Sequence, residues 1–173
     1  STAAALVAAA MGIPIVKHGN RSVSSQCGSA DVLERIGIAL SPTPQQARAH
    51  LDEAGICFLF APQYHAGLRH AMPVRQSLGV RTMINLLGPM VSPAQPTHQL
   101  MGVYDPAWCK PVAETLQLLG VEAALVVHGS GLDEVAVHGS TTAVLLRNGQ
   151  ISKLTITPEE VGLTRHPIAA LQG

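Results

Sequence analysis

Val16-Lys-His-Gly-Asn-Arg-Ser-Val-Ser-Ser-Gln-Cys-Gly-Ser-Ala-Asp31 joins three local signals in one stretch. The apolar run that leads into it, Ile13-Pro14-Ile15-Val16, predicts a short buried strand over 13–17. Lys17-His18-Gly19-Asn20-Arg21 then forms a cluster of donors broken by one glycine, followed by a small polar loop that carries Gly28. Ser29-Ala-Asp-Val-Leu-Glu34 opens a helix over 29–37, with Ser29 as the expected N-cap and Asp31 in the first turn. A strand, a cationic loop and a helix N-terminus in succession suit an anion such as phosphate. The stretch is neither a Walker loop nor GxGxxG, so the generic nucleotide motifs do not apply.

Outward from this stretch, strands and helices alternate. Upstream, Thr2–Met11 has almost no charged face, which predicts a helix buried on all sides and stopped by Gly12. Downstream, Thr43-Pro44 predicts a capped helix start, and Gly55 closes that helix after residue 54. Ile56-Cys-Phe-Leu-Phe60 is apolar throughout, as in a strand covered on both faces. Ala61–His65 leaves that strand's C-terminal end, where open α/β sheets place ligands. Residues 66–78 carry Arg69, His70 and Arg75, with Pro73 expected to kink or restart a helix. Asn85-Leu-Leu-Gly-Pro89 leads into a proline-rich loop over 89–96. In the last third, strands are expected at 99–103 and 123–128, a helix at 106–119, and a hairpin about Asn148-Gly149. The fold class is therefore α/β: one domain over 1–173, with a central, mostly parallel sheet flanked by helices and an antiparallel part near the C-terminus.

Composition narrows the function. The 173 residues are 47% hydrophobic and 3% aromatic, with zero formal net charge. A neutral chain lacks the basic surface that nonspecific nucleic-acid binding requires, so no nucleic-acid partner is expected. Cys27, Cys57 and Cys109 are odd in number and far apart. They suggest neither a disulfide framework nor a zinc site, and fit a reducing compartment, the cytoplasm. No apolar run reaches membrane-spanning length.

Four blocks then carry a family resemblance. They are Ser1-Thr2-Ala3; Lys17-His18-Gly19-Asn20-Arg21 with Gly28-Ser29-Ala30-Asp31; the run from Pro62 through His65 and Pro73-Val-Arg75 to Asn85-Leu-Leu-Gly-Pro89; and Gly131-Leu-Asp-Glu134. In this order they resemble the anthranilate phosphoribosyltransferases. The resemblance implies the C-terminal α/β domain type shared by nucleoside phosphorylases and phosphoribosyltransferases. It implies transfer of phosphoribose from phosphoribosyl pyrophosphate (PRPP) to anthranilate, with Mg²⁺ required and a homodimer for the whole protein. It also implies that a helical dimerisation domain and a glycine-rich pyrophosphate loop belong upstream of Ser1, so that residues 1–173 alone are expected to be inactive.

The same resemblance implies roles. Ser1, Thr2, Lys17 and Ser29 correspond to PRPP contacts. His18, Gly19, Asn20, Tyr64, His65, Arg75 and Pro89 correspond to the anthranilate site, with Arg75 on the carboxylate. Asp133 and Glu134, together with Ser1, correspond to metal ligands. The residue types fit these tasks. A lysine is a point charge for phosphate, and an arginine fork matches a carboxylate bidentately. Adjacent carboxylates on a glycine-flanked turn suit Mg²⁺, which prefers few carboxylates plus phosphate oxygens. Two rivals share the fold class: a pyrimidine-nucleoside phosphorylase, whose phosphate loop resembles KxSGRG rather than KHGN, and a nucleic-acid-binding relative, which needs a basic groove.

Overall fold

Strand β1 runs Ile15–Gly19 and pairs in parallel with β2, Ile56–Phe60, in the register Val16↔Cys57, Lys17↔Phe58, His18↔Leu59, Gly19↔Phe60. This computed structural model describes residues 1–21, 28–67, 77 and 83–171. Two compact units result, Ser1–Ala94 and Gln95–Gly173, and each is α/β.

In the first unit, β1 starts two residues later than its expected position. Pro14 has no N–H to give a ladder, so pairing begins with Ile15, whose N–H donates to Gly55 O at 2.8 Å. The strand also runs two residues further, so that His18 and Gly19 are strand residues rather than loop residues. Helix α1, Thr2–Ala10, ends at Gly12 (φ 85°) as expected but is not buried: none of its residues is, and Val7 is 60% exposed. Alanine favours helix without needing burial.

Helix α2, Ser29–Arg35, is capped one residue earlier than expected, by Gly28, whose N–H donates to Asp31 Oδ2 at 2.8 Å. Asp31 takes over the capping, which leaves Ser29 as the first helical residue. Helix α3, Pro44–Ala54, shows the expected cap: Thr43 Oγ1 accepts from Gln46 N and Gln46 Oε1 accepts from Thr43 N, at 3.2 and 2.8 Å. Gly55 ends it at φ 69°. The two faces of the strand pair pack separately. Phe58 joins Ala30, Leu33 and Leu40 on the α2 side. Cys57 and Leu59 join Ala47 on the α3 side.

Two stretches for which the sequence predicts no element are helical, the second reaching into the start of the expected proline-rich loop. Ala61–Tyr64 forms a short α4, and Ile84–Met90 forms α5 with Pro89 inside it. Near the C-terminal end of so short a helix, proline gives up a single backbone bond, and its fixed φ suits the helix. Arg69, His70, Pro73 and Arg75 lie outside the described residues.

In the second unit, β3 (His98–Gly102), β4 (Ala123–Gly129), β5 (Thr141–Arg147) and β6 (Gln150–Ile156) form one sheet in that order. β3 and β4 are parallel, and the remaining pairs are antiparallel. Asn148 and Gly149, at φ 52° and 71°, make the tight hairpin turn that their sequence predicts. Asp105 Oδ1 accepts from Ala107 N at 2.9 Å and starts a helical turn, Pro106–Trp108, that leads into α6, Cys109–Leu118. Cys109, Val112, Ala113 and Leu116 of α6 are buried, as are Val126, Val127, Ala143, Val144 and Leu146 of the sheet. Among the described residues, no helix is long and apolar enough to cross a membrane.

Candidate functional site

Alternation along β1 sorts the candidate residues. Successive side chains of a strand point to opposite faces. Lys17 points with Phe58 toward the α2 side, where its Nζ donates to Ser1 Oγ at 3.0 Å. Thr2 follows as the first residue of α1. Gly19 lies on the same side and is closely packed: a Cβ there would sit 3.1 Å from the Phe58 ring and 3.7 Å from Ser29 Cβ. Ser29 thus stands beside the end of β1, with Lys17 on its face.

Arg21 fastens the strand's exit to α2. Its guanidinium donates to both Glu34 oxygens, at 2.7 and 2.8 Å, and to Asp31 at 3.4 Å. The hydrogen bond to Arg21 holds the Glu34 carboxyl below the usual range. Both groups are exposed, so this network orients more than it stabilises. Asn20 uses Oδ1 to accept from Arg21 N at 2.8 Å.

His18 points the other way, toward the α3 side. Its Nε2 lies 3.1 Å from His65 Nε2, and the two rings meet edge to face at 4.9 Å. One imidazole must donate and the other accept, so the contact requires at least one neutral ring. Burial, and after it the charge of His65, lowers the His18 pKa from its ordinary value. Tyr64 packs on the Ala47–Cys57–Leu59 cluster, and its hydroxyl is buried with no hydrogen-bond partner among the described residues. A cavity of about 310 Å³ opens on this side, bordered by Val16, Leu51, Leu59 and Tyr64. Pro89 lies half-buried in α5. Arg75 lies outside the described residues.

In the second unit, Asp133 and Glu134 are exposed on the loop between β4 and β5. The loop is tied at several points. Gly129 and Leu132 exchange backbone hydrogen bonds at 2.8 and 3.1 Å. His128, only 9% exposed, donates from Nδ1 to Val103 O at 2.9 Å and accepts from Gly131 N at Nε2, 3.1 Å. A carbonyl can only accept, so these two bonds fix His128 as the neutral Nδ1–H tautomer. Ser130 Oγ donates to Ser140 O at 2.8 Å, and His138 Nε2 donates to Ser130 O at 3.0 Å. Fully buried Thr141 accepts from Ala136 N through Oγ1 at 2.9 Å. None of the side chains that tie this loop stood out in the sequence. Ser130 and His138 carry no recognisable spacing, and a histidine that ends an apolar strand is the sole cue to His128.

The donor set speaks to metal identity. Asp133 and Glu134 are hard oxygen donors, which fit Mg²⁺ shared with phosphate oxygens. Among the described residues, no group of three or more His, Cys, Asp and Glu side chains could hold a metal by itself.

The chain is similar to known proteins over its whole length. Residues 1–173 match the family described as "Glycosyl transferase family, a/b domain". The chain is 58% identical over 173 residues to the anthranilate phosphoribosyltransferase of Aeromonas hydrophila subsp. hydrophila, covering 100% of this chain and 51% of that protein. It is 60% identical to that of Sorangium cellulosum, covering 100% and 50%. Among solved structures, it is similar to anthranilate phosphoribosyltransferase from Thermus thermophilus with a TM-score of 0.91 and 48% identity, covering 100% of this chain and 51% of that one. It is also similar to the Saccharomyces cerevisiae enzyme in complex with PRPP and Mg, with a TM-score of 0.87, 28% identity and coverage of 100% and 48%. The chain thus spans about half the length of the relatives it matches. With a match that runs from its first residue to its last, the chain belongs to the glycosyl transferase family through its a/b domain.

Proposed function

We propose that this chain is the α/β part of an anthranilate phosphoribosyltransferase, which moves phosphoribose from PRPP to the amine of anthranilate and releases pyrophosphate. One observation carries the reading: neighbouring residues of β1 serve opposite faces. Lys17 stands with Ser1 and Ser29 on one, and His18 stands with His65, Tyr64 and the cavity on the other. A single strand end then separates a phosphate-facing side from an aromatic-facing side.

In this reading Lys17 supplies a point charge to phosphate, and the hydroxyls of Ser1, Thr2 and Ser29 donate to its oxygens. Gly19 lets the backbone approach a flat ring. Asn20, Tyr64, His65 and Pro89 bound the ring, and Arg75 grips its carboxylate. The bond from C1 to pyrophosphate breaks as the bond from C1 to the amine nitrogen forms, and the amine loses a proton. The neutral amine needs placement in line rather than an activated nucleophile on the protein, so positioning supplies much of the rate. Asp133 and Glu134, with Ser1, are the residues assigned to Mg²⁺, which when bound supplies positive charge to the departing pyrophosphate. The same reading carries a homodimer and a cytoplasmic location.

The test uses the full-length protein with PRPP, Mg²⁺ and anthranilate, following loss of anthranilate fluorescence. We expect turnover, and Lys17→Ala raises the PRPP KM about tenfold or more while moving the anthranilate KM less than threefold, in line with the loss of a charge-assisted bond. Phosphorolysis of thymidine with no loss of anthranilate refutes the reading in favour of a nucleoside phosphorylase.

A further inference from the structure

We propose that Gly102, the last residue of β3, is a positioning residue for the Asp133–Glu134 pair, because its missing side chain is the seat on which the acidic turn rests. This inference rests on reading that pair as metal-facing.

The geometry is one of close approach, not of unusual dihedrals; Gly102 is not among the residues with positive φ. A Cβ at Gly102 would collide with the carbonyl oxygen of Asp133, lying 2.6 Å from its carbon and 3.3 Å from its Cα. These are backbone atoms, so no side chain can swing aside to make room. Gly129, at the end of the neighbouring strand, repeats the arrangement. A Cβ there would collide with the Glu134 carbonyl oxygen and lie 2.7 Å from Ala136 N and Cβ. Glycine in a strand marks the place where another backbone crosses closely. Here that backbone is residues 133–136, laid across the ends of β3 and β4.

The turn is also held from its far side. Thr141 Oγ1 holds Ala136 N, and His128 holds Gly131 N. Fixed at both ends, the segment cannot make room for a methyl group by sliding as a whole. The strain of an alanine at 102 falls on Asp133, whose carboxylate shares that residue's Cα. Side chains that orient metal ligands from behind typically change metal affinity 10- to 100-fold when altered, and Gly102 acts at the same remove.

The experiment uses the full-length protein and three variants. Gly102→Ala carries the test. Gly120→Ala is the control for a generic glycine loss: it sits in the same unit at φ 86° with nothing within 4 Å of its Cβ position. Asp133→Asn tests the metal reading. Two quantities are measured: amide hydrogen exchange over residues 129–137 in metal-free protein, and the Mg²⁺ concentration giving half-maximal rate. We expect Gly102→Ala to accelerate exchange in that segment and to raise the Mg²⁺ requirement about tenfold or more, with the anthranilate KM unchanged. Gly120→Ala changes neither. Wild-type exchange in Gly102→Ala overturns the proposal, as does a wild-type Mg²⁺ requirement while Asp133→Asn raises it. If Asp133→Asn leaves the requirement unchanged, the metal reading fails, and the role of Gly102 fails with it. Should Gly102→Ala not fold, Thr141→Val releases the same turn without crowding β3. Its failure to alter exchange and Mg²⁺ requirement also overturns the proposal.

Discussion

His128→Ala tests how firmly the acidic turn is built. The imidazole makes two bonds, from Nδ1 to Val103 O at 2.9 Å and from Gly131 N to Nε2 at 3.1 Å. The costs of losing them differ because their surroundings differ. Val103 is 1% exposed, so a carbonyl deprived of this donor stays away from water, at a cost of about 1–3 kcal/mol. Gly131 is exposed, so its N–H can turn to solvent, and only the net bond of about 0.5–1.5 kcal/mol is lost. Together the variant should lose about 2–4 kcal/mol. His128→Asn separates the two bonds, because the asparagine amide nitrogen lies near the position of Nδ1 and can still donate to Val103. It should lose only about 1 kcal/mol. The single tryptophan, Trp108, lies in this unit, so urea unfolding followed by its fluorescence reports on the unit that contains the change. With a slope of about 2 kcal/mol per molar urea, the alanine midpoint falls by roughly 1–2 M. Equal losses in the alanine and asparagine variants, or an alanine loss below about 0.5 kcal/mol, would refute the reasoning, since a solvated surface site gives no more than that.

Three further outcomes are expected. Burial and His65 lower the His18 pKa, so the unfolded chain binds this proton more readily than the folded one. Stability is then full above the ordinary histidine value and falls as pH drops below it, and His18→Gln should flatten that part of the profile; a wild-type slope between about pH 7.5 and 5.5 in the variant contradicts this. Thr43→Ala removes the cap of α3 and should cost about 1 kcal/mol of stability, read as a shift in the denaturant midpoint. For full-length protein, Arg75→Ala should raise the anthranilate KM roughly 10- to 100-fold, the value of a charge-assisted pair, with a smaller effect on the PRPP KM. Equal effects on the two substrates argue against a carboxylate role.

What the sequence made legible follows a physical line between local and distant causes. The cap at Thr43, the stop at Gly55 and the hairpin at Asn148-Gly149 depend on residues within a few positions of one another, and all three stand where expected. The start of β1 was off by two residues because Pro14 removes a donor that an apolar count does not register. The expectation for α1 failed for a different reason. Apolarity says that a helix tolerates burial, but burial itself depends on what lies against it, and Val7 is 60% exposed. The site shows the same division. The strand-to-helix stretch suggested an anion, and the motifs suggested which one. The contact between His18 and His65, 47 positions apart, arises only because β2 returns beside β1 in register. Gly102 and Asp133 meet only because β4 and its loop fold back over the end of β3. A glycine's role in such a meeting lies in an atom that is missing, and a missing atom leaves no pattern in the one-dimensional string. The residues proposed to carry chemistry could therefore be picked out along the chain, whereas those proposed to aim them became visible only where distant backbones cross.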